Sequence, residues 1–175
     1  MILGFSQVIN GQPTLFIEKI WESIYQMAPE RPSQEYLIYQ QAYKDKFGKF
    51  WDGTGDMWHE PVDPKLHTIR NPRVTKSGDI AAKQWKSGDL IHPAIHNRSP
   101  LYFQFAPIMK VISVQAIRIK WYKKQWSVYV DDRQLAVYEV EKLAKNDGFT
   151  SLHEFSAYFD TDFAGVIIHW TNLRY

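Results

Sequence analysis

Hydrophobic and polar residues alternate with two different periods along the chain, which predicts a mixture of helices and strands. Apolar residues recur every three or four positions from Phe16 to Ile24, and this spacing predicts an amphipathic helix. Three further helices are predicted at 34–47, 137–146 and 151–160. Strands are predicted at 1–8, 65–70, 90–95, 111–121, 126–130 and 166–170. Because turns join many neighbouring strands, the pattern predicts an α+β fold with a small, mainly antiparallel β-barrel.

The segment 111–121 is the clearest strand, but its alternation slips near Ala116. Ile112 and Val114 set one phase, whereas Ile117 begins the other. Such a slip predicts a β-bulge, the device by which a strand bends in a barrel.

The composition indicates a globular protein with a substantial core. The chain has 175 residues, of which 45% are hydrophobic and 23% are charged, and this length predicts one domain over 1–175. Seven Trp, ten Tyr and ten Phe provide large side chains for that core, and the lack of Cys excludes disulfides and thiolate metal ligands. Because neither a signal peptide nor a membrane span is visible, we expect a cytoplasmic protein with no membrane partner.

Charge is distributed unevenly, although the net charge is only +2. The segment 65–125 contains twelve Lys and Arg but only two Asp, whereas the rest contains nine basic and seventeen acidic residues. This segregation favours a basic face that could hold phosphates. The alternative is that folding mixes the two parts and cancels the field.

The candidate chemistry begins in the predicted strand 65–70, whose sequence is Lys-Leu-His-Thr-Ile-Arg. Alternation places Thr68 and Arg70 on one face of this strand, and His67 and Ile69 on the other. A cationic and a hydroxyl-bearing side chain therefore share one face.

A second polar stretch, 85–89 (Trp-Lys-Ser-Gly-Asp), ends in a turn signal ahead of the next strand. Basic side chains can bind phosphates, and Trp rings can stack on bases, although core burial is the alternative for both Trp residues. The residues expected to bind a nucleic acid or nucleotide are Arg70, Lys83, Trp85, Lys86 and Trp170. The acidic loop 52–64 matches neither a calcium loop nor a zinc motif, so no metal site or cofactor is expected.

These motifs, taken in order, resemble the ASCH domain of the PUA-like superfamily. In that family a Lys-x-x-Thr-Ile-Arg strand precedes an aromatic-x-x-Gly-Asp turn, and a Glu/Asp-Gly-Phe step then begins a helix. Here 65–70, 85–89 and 146–149 stand in the same order. The chain is also similar to uncharacterised bacterial and prophage proteins that end in Ile-His-Trp-Thr-Asp-Leu-Arg-Tyr. Segments at about 29–63 and 122–136 look like elaborations of the domain.

The resemblance implies a β-barrel with flanking helices and a cleft beside the Lys-x-x-Thr strand. Relatives are thought to bind RNA or modified nucleosides, so we first expect an RNA- or nucleotide-binding protein that uses a basic cleft. One branch is an amidohydrolase that removes an acyl group from N4-acetylcytidine with a Lys, a Thr and a Glu. By motif, Lys65 and Thr68 match the first two, and Asp147 falls near the third. A further alternative is an interaction protein of a mobile element that binds no small ligand.

Catalysis by this set would make specific demands on its members. The Thr68 hydroxyl would need a base, and Lys65 could serve if the pKa of its ammonium fell from about 10.4 toward about 7–8. Asp147 would orient Lys65 or protonate the leaving amine. The alternative is that Lys65 faces phosphate in solvent and Thr68 is an ordinary strand residue.

Overall fold

The structure is a computed structural model that describes residues 1–30, 32–51, 62–72, 84–123 and 125–175. Within these ranges the chain forms four helices and eleven short strands, which confirms the predicted α+β class. The strands belong to three sheets, none of which closes on itself over the described residues, so the barrel stays a prediction. No described helix is long and apolar enough to cross a membrane.

The four predicted helices are present, and so are the predicted strands, although the one predicted at 1–8 extends only over Ile2–Gly4; the two-residue strands were not predicted. In chain order the elements are β1 (Ile2–Gly4), β2 (Val8–Ile9), β3 (Gln12–Pro13), α1 (Phe16–Met27), α2 (Pro32–Phe47), β4 (His67–Arg70), β5 (Leu90–Ile95), β6 (Phe103–Gln104), β7 (Met109–Lys110), β8 (Ser113–Tyr122), β9 (Gln125–Val130), β10 (Arg133–Gln134), α3 (Val137–Asn146), α4 (Leu152–Tyr158) and β11 (Phe163–His169). A two-residue strand is too short to produce a visible alternation, which explains why these were not predicted.

The chain folds into two compact units. Unit 1 comprises residues 1–65 and 90–109, and unit 2 comprises residues 66–89 and 110–175. The single domain expected from chain length stays a prediction. The division also separates Lys65 from the rest of its motif.

Unit 1 contains a small mixed sheet and the first two helices. Strand β1 pairs with β5 in parallel, and β5 pairs with β6 in antiparallel fashion. The apolar stripe of α1 is buried, as its spacing predicts, and both Ile20 and Trp21 are inaccessible to solvent. The indole N–H of Trp21 donates to the Phe105 carbonyl oxygen at 3.0 Å. Helix α1 therefore serves the core of its unit.

Unit 2 is built on a five-stranded antiparallel sheet with the order β10-β9-β8-β11-β4. One face packs against α3 and α4, and the hydrophobic core includes Ile69, Ile117, Ile119, Leu143, Phe155 and Ile167. The residues of β8 on the opposite face, among them Ala116, Arg118 and Lys120, are exposed. Along β8 the sheet thus has one buried and one solvated side, an arrangement that is common in antiparallel sheets.

The bulge predicted near Ala116 is wrong. Strand β8 pairs with β11 residue for residue from Ser113 to Ile119, and no residue is inserted. The alternation slips because Gln115, a polar residue, occupies a buried position on the core face. Its amide donates to the Tyr175 carbonyl oxygen and accepts the Tyr175 N–H, both at 3.0 Å. A polar side chain with satisfied hydrogen bonds can replace an apolar one in a core.

Gly165 of β11 lies where the chain approaches a neighbouring strand too closely for a side chain. A Cβ atom at this position would lie 2.4 Å from the Arg70 carbonyl oxygen and 2.5 Å from the Phe163 ring. We expect Gly165→Ala to lower the free energy of unfolding by about 1–3 kcal/mol, because β4 cannot move aside without disturbing its pairing with β11. Urea denaturation measures this change.

Ala164→Ser is the matched control for this substitution. Ala164 neighbours Gly165 on the same strand but is exposed, so the added hydroxyl meets solvent. A change below about 0.5 kcal/mol for Gly165→Ala, equal to that of the control, would contradict the close approach.

Candidate functional site

Strand β4 carries two of the residues predicted to be functional, Thr68 and Arg70, together with His67. His67 and Thr68 have no solvent-exposed surface, whereas Arg70 at the end of the strand is half-buried. Ile69 belongs to the hydrophobic core of unit 2, so the core face of β4 carries His67 and Ile69. Thr68 and Arg70 lie on the other face.

Asp147 lies directly beside β4. Helix α3 ends at Asn146, and Asp147 follows as its C-cap. The Leu66 N–H, just before β4, donates to the Asn146 carbonyl oxygen at 2.8 Å, and the Ile69 N–H donates to Asp147 Oδ1 at 3.1 Å. Because β4 is the last strand of its sheet among the described residues, these acceptors satisfy N–H groups on its unpaired edge and just before it.

The predicted catalytic residues are divided between the two units. Lys65 belongs to unit 1, where its N–H donates to the Lys19 carbonyl oxygen and its ammonium lies 4.5 Å from the centre of the Phe16 ring. Thr68 and Asp147 belong to unit 2. The buried Thr68 hydroxyl makes no hydrogen bond to any residue that the structure describes.

A buried polar cluster surrounds His67. Its Nε2 atom lies 2.8 Å from the Tyr175 hydroxyl, which also accepts a hydrogen bond from Asn146 Nδ2 at 2.8 Å. Because the Asn146 NH₂ group only donates, the Tyr175 proton is available to Nε2, and Nδ1 then carries the ring proton. The Nδ1 atom lies 3.6 Å from Asp147 Oδ1. The imidazole is thus oriented between a phenol and a carboxylate.

His169 extends this cluster across the sheet. The centre of its ring lies 5.2 Å from the centre of the His67 ring. The strand register pairs His169 with His67 on β4 and with Ser113 on β8. Neither ring nitrogen of His169 nor the Ser113 hydroxyl hydrogen-bonds to a residue in the described ranges. Burial lowers the pKa of His169 to about 3, and the nearby charges of His67 and Arg174 act in the same direction. His169 is therefore neutral at physiological pH.

A pocket of about 270 Å³, here named the Arg70 pocket, opens at the end of β4. It is lined by Ile69, Arg70, Asn71, Tyr158, Phe159 and Phe163. Arg70 Nη1 donates to the Ile69 carbonyl oxygen at 3.2 Å, so the guanidinium is oriented by its own strand. Burial lowers the pKa of Arg70 while Asp147 and Tyr158 raise it, and a guanidinium stays charged at neutral pH. The pocket combines a cation, an amide and three aromatic rings.

The turn 85–89 is held against the chain just before β8. The Gly88 N–H and the Ser87 hydroxyl both donate at 2.8 Å to carbonyl oxygens of that segment. Trp85 is half-buried and Lys86 is exposed. The turn therefore presents its lysine to solvent and only part of its indole.

Of the other two predicted binding residues, the structure describes only Trp170. Trp170 is only 3% exposed, so its ring is not open to a base in this structure. Lys83 lies outside the described residues, as does the segment 52–61 of the predicted acidic loop. Within the described ranges no cluster of His, Asp and Glu could hold a metal ion.

Arg70 lies at the end of β4, whereas the turn that carries Lys86 lies beside the start of this strand. The turn that carries Lys86 bonds to Ile112, whose N–H donates to the His169 carbonyl oxygen, and His169 lies opposite His67. Arg70 lies three residues further along β4, about 10 Å away at the rise of an extended strand. Arg70 and the turn that carries Lys86 therefore lie beside opposite ends of β4.

Sequence reasoning missed the cluster around His67, although part of its signal was present. His67 and His169 each alternate with an isoleucine on the core face of a predicted strand, and this position predicts burial. Tyr175 lies outside every predicted element, and nothing local indicates that its hydroxyl contacts a residue 108 positions away.

Comparison of the chain with protein families, curated proteins and solved structures finds no match. The function must therefore be inferred from the geometry of the molecule itself.

Substitution of Asp147 tests its role at the edge of β4. Asp147→Ala removes the acceptor of the Ile69 N–H, and we expect the free energy of unfolding to fall by about 1–3 kcal/mol. Asp147→Asn keeps an acceptor oxygen and should lose less. Urea denaturation of both variants measures the difference, and equal losses would show that the bond to Ile69 is unimportant.

The buried His169 predicts a pH-dependent stability. The unfolded chain takes up a proton on this residue near pH 6.5, whereas its pKa of about 3 keeps the folded state unprotonated. Since the unfolded state binds more protons, the free energy of unfolding should fall as pH drops from about 6.5 to about 3, by up to about 1.4 kcal/mol per pH unit.

Urea denaturation across this pH range measures the slope in the wild type and in His169→Phe, which keeps a ring but does not titrate. We expect a shallower slope for His169→Phe and an unchanged one for His153→Gln, because His153 is exposed. Parallel slopes in all three proteins would rule out this role of His169.

Proposed function

We propose that this chain binds RNA or a nucleotide, and that the Arg70 pocket holds part of the ligand. The observation that supports this most directly is an arginine of intermediate burial, Arg70, that shares one cavity with three aromatic rings. A guanidinium can bond two oxygens of a phosphate, and aromatic rings can stack on a base. Together these groups match the two chemically distinct parts of a nucleotide.

The size of the Arg70 pocket limits what it can hold. Pockets for whole drug-sized ligands have typical volumes of about 300–1,000 Å³. A cavity of about 270 Å³ suits a single base or a phosphate with its sugar. The remainder of an RNA strand would lie on the surface of unit 2.

Two exposed lysines of unit 2 support the phosphate part of the proposal. The Lys110 side chain lies against the turn that carries Lys86, with its Cε atom 4.0 Å from the position that a Cβ on Gly88 would take. Both lysines are exposed and can attract an anionic chain. Because the attraction acts through solvent, it weakens with added salt.

The proposal extends to an ASCH-type domain of the PUA-like superfamily in the cytoplasm. It is supported by the position of the three motifs, since β4, the turn 85–89 and the junction of α3 with α4 all belong to unit 2. The carboxylate of the third motif, Asp147, bonds to the strand of the first. Motifs that are distant in sequence therefore contact one another.

The amidohydrolase alternative, with Lys65, Thr68 and Asp147 as the reactive set, has less support. A hydroxyl nucleophile needs a base within hydrogen-bonding distance, and no described residue bonds to the Thr68 hydroxyl. This alternative stays a prediction, as does an interaction protein of a mobile element without a small ligand.

Substitution of Arg70 tests the proposed function. We expect Arg70→Gln to weaken binding of a short fluorescein-labelled single-stranded RNA by about tenfold, because one charge-assisted contact with a phosphate is lost. The slope of log K against log salt concentration should also fall by about 0.7. Fluorescence anisotropy titrations in rising KCl measure both quantities.

Arg133→Gln is the matched control, since it removes the same charge from an exposed arginine that pairs with Glu139. Thermal unfolding of each variant checks that the fold is retained. Equal affinities of the two variants would exclude the Arg70 pocket, and no RNA or nucleotide binding by the wild type would exclude the proposed function itself.

A further inference from the structure

The sheet of unit 2 presents a solvated face that carries cationic and aromatic side chains. On β8 the side chains of Arg118 and Lys120 are 49% and 60% exposed, and Tyr122 is 70% exposed. The intervening Ile117 and Ile119 are buried in the core. Burial and the two-residue period of a strand both place Arg118, Lys120 and Tyr122 on the face opposite α3 and α4.

Tyr129 of β9 stands beside Arg118 on this face. The strand register pairs the two residues, and the guanidinium carbon lies 5.9 Å from the centre of the Tyr129 ring. Arg118 Nη2 also lies 2.7 Å from Asp132 Oδ1. An exposed ion pair of this kind contributes at most about 1 kcal/mol, so a ligand can replace one partner at little cost.

These side chains border a second pocket of about 200 Å³, here named the Tyr129 pocket. Its lining also includes Pro72 and the small residues Ala116, Ala164 and Gly165. An aromatic ring beside a shallow apolar floor can stack on a nucleobase, while a guanidinium and a carboxylate can bond to the carbonyl and amino groups on its edge. The Tyr129 pocket contains all of these groups.

The Tyr129 pocket lies near the Arg70 pocket, because the chain at the end of β4 and just beyond it lines both. Pro72 follows Arg70 by two residues, a distance of about 7 Å in an extended chain. Gly165, which lines the Tyr129 pocket, lies against the Arg70 carbonyl oxygen and the ring of Phe163, which lines the Arg70 pocket. One short oligonucleotide can therefore reach both pockets.

We propose that this face of the sheet is a platform for single-stranded RNA, on which one base stacks on Tyr129 and bonds along its edge to Arg118 and Asp132. The inference rests on the proposed RNA-binding function and adds the class of RNA and a second contact. Bases within a duplex are stacked on one another and cannot lie flat on a protein ring, so duplex RNA does not fit. Phosphates would displace Asp162 from Lys120, with which it pairs at 2.8 Å.

The test is a fluorescence anisotropy titration with a short fluorescein-labelled single-stranded oligouridylate, with an RNA duplex of similar length as a separate probe. We expect Tyr129→Ala to weaken binding of the single strand by about tenfold, which corresponds to the loss of one base stack. Tyr129→Phe keeps the ring and should bind within about twofold of the wild type. The duplex should bind about tenfold more weakly than the single strand.

Tyr138→Ala is the matched control, because Tyr138 is an exposed tyrosine of unit 2 on helix α3 and not on this face. Its affinity for the single strand should equal that of the wild type. Thermal unfolding verifies that each variant is folded, and Tyr129→Phe separates loss of the ring from loss of the fold.

The outcomes distinguish the platform from the Arg70 pocket. If Arg70→Gln weakens binding and Tyr129→Ala does not, the platform is excluded while the proposed function stands. If only Tyr129→Ala weakens binding, the platform stands and the Arg70 pocket is excluded. If the wild type binds no oligonucleotide, both are excluded. If the wild type then sediments as a dimer and Tyr129→Ala sediments as a monomer, this face of the sheet binds a second copy of the chain.

Discussion

The candidate site depends on the Asp147 carboxylate, which accepts a hydrogen bond from the edge of strand β4. Among the described residues, strand β4 has β11 on one side and no further strand on the other, and Asp147 accepts the Ile69 N–H on that open edge. The Asn146 carbonyl oxygen accepts the Leu66 N–H in the same way. The end of helix α3 thus satisfies backbone groups that would otherwise face an apolar core without a partner. With its edge satisfied, β4 can hold Arg70 at the mouth of its pocket.

The sheet of unit 2 separates structural tasks from exposed chemistry. On the core side, isoleucines and a few fully or partly bonded polar groups pack against the two helices, and His169 is kept neutral by its surroundings. On the other side, arginine, lysine and tyrosine face solvent over small residues. The contrast follows from the two-residue period of a strand, which directs successive side chains to opposite faces.

Local regularities in the sequence were sufficient for the fold class, the four helices and the longer strands. Apolar spacing predicted α1, and alternation predicted the faces of β4, because both signals lie within a few consecutive residues. The pattern was misleading at Gln115, since a polar residue whose partners are satisfied by the distant Tyr175 can occupy a core position. Trp170 is a similar case, because an aromatic residue after a strand suits either a core or a stacking surface.

The candidate site was harder to predict, because its assembly depends on contacts between distant segments. Asp147 could be associated with the strand at 65–70 only through the order of motifs, whereas the bond to Ile69 is a feature of three-dimensional packing. No periodic signal indicates that Tyr129 and Arg118 share a face, since that depends on the register of β8 with β9. A pattern within one segment cannot predict a pocket that several strands and a loop form together.

The division of the sheet into two faces has a consequence for how the protein can diversify. Residues such as Arg118, Lys120 and Tyr122 add little to the core, so their replacement leaves the hydrophobic packing of Ile117 and Ile119 intact. The exposed side chains on this part of the sheet can therefore change by single substitutions while selection for folding acts on the core. Such a surface offers directed evolution a set of positions at which new specificities can be sampled without loss of folding.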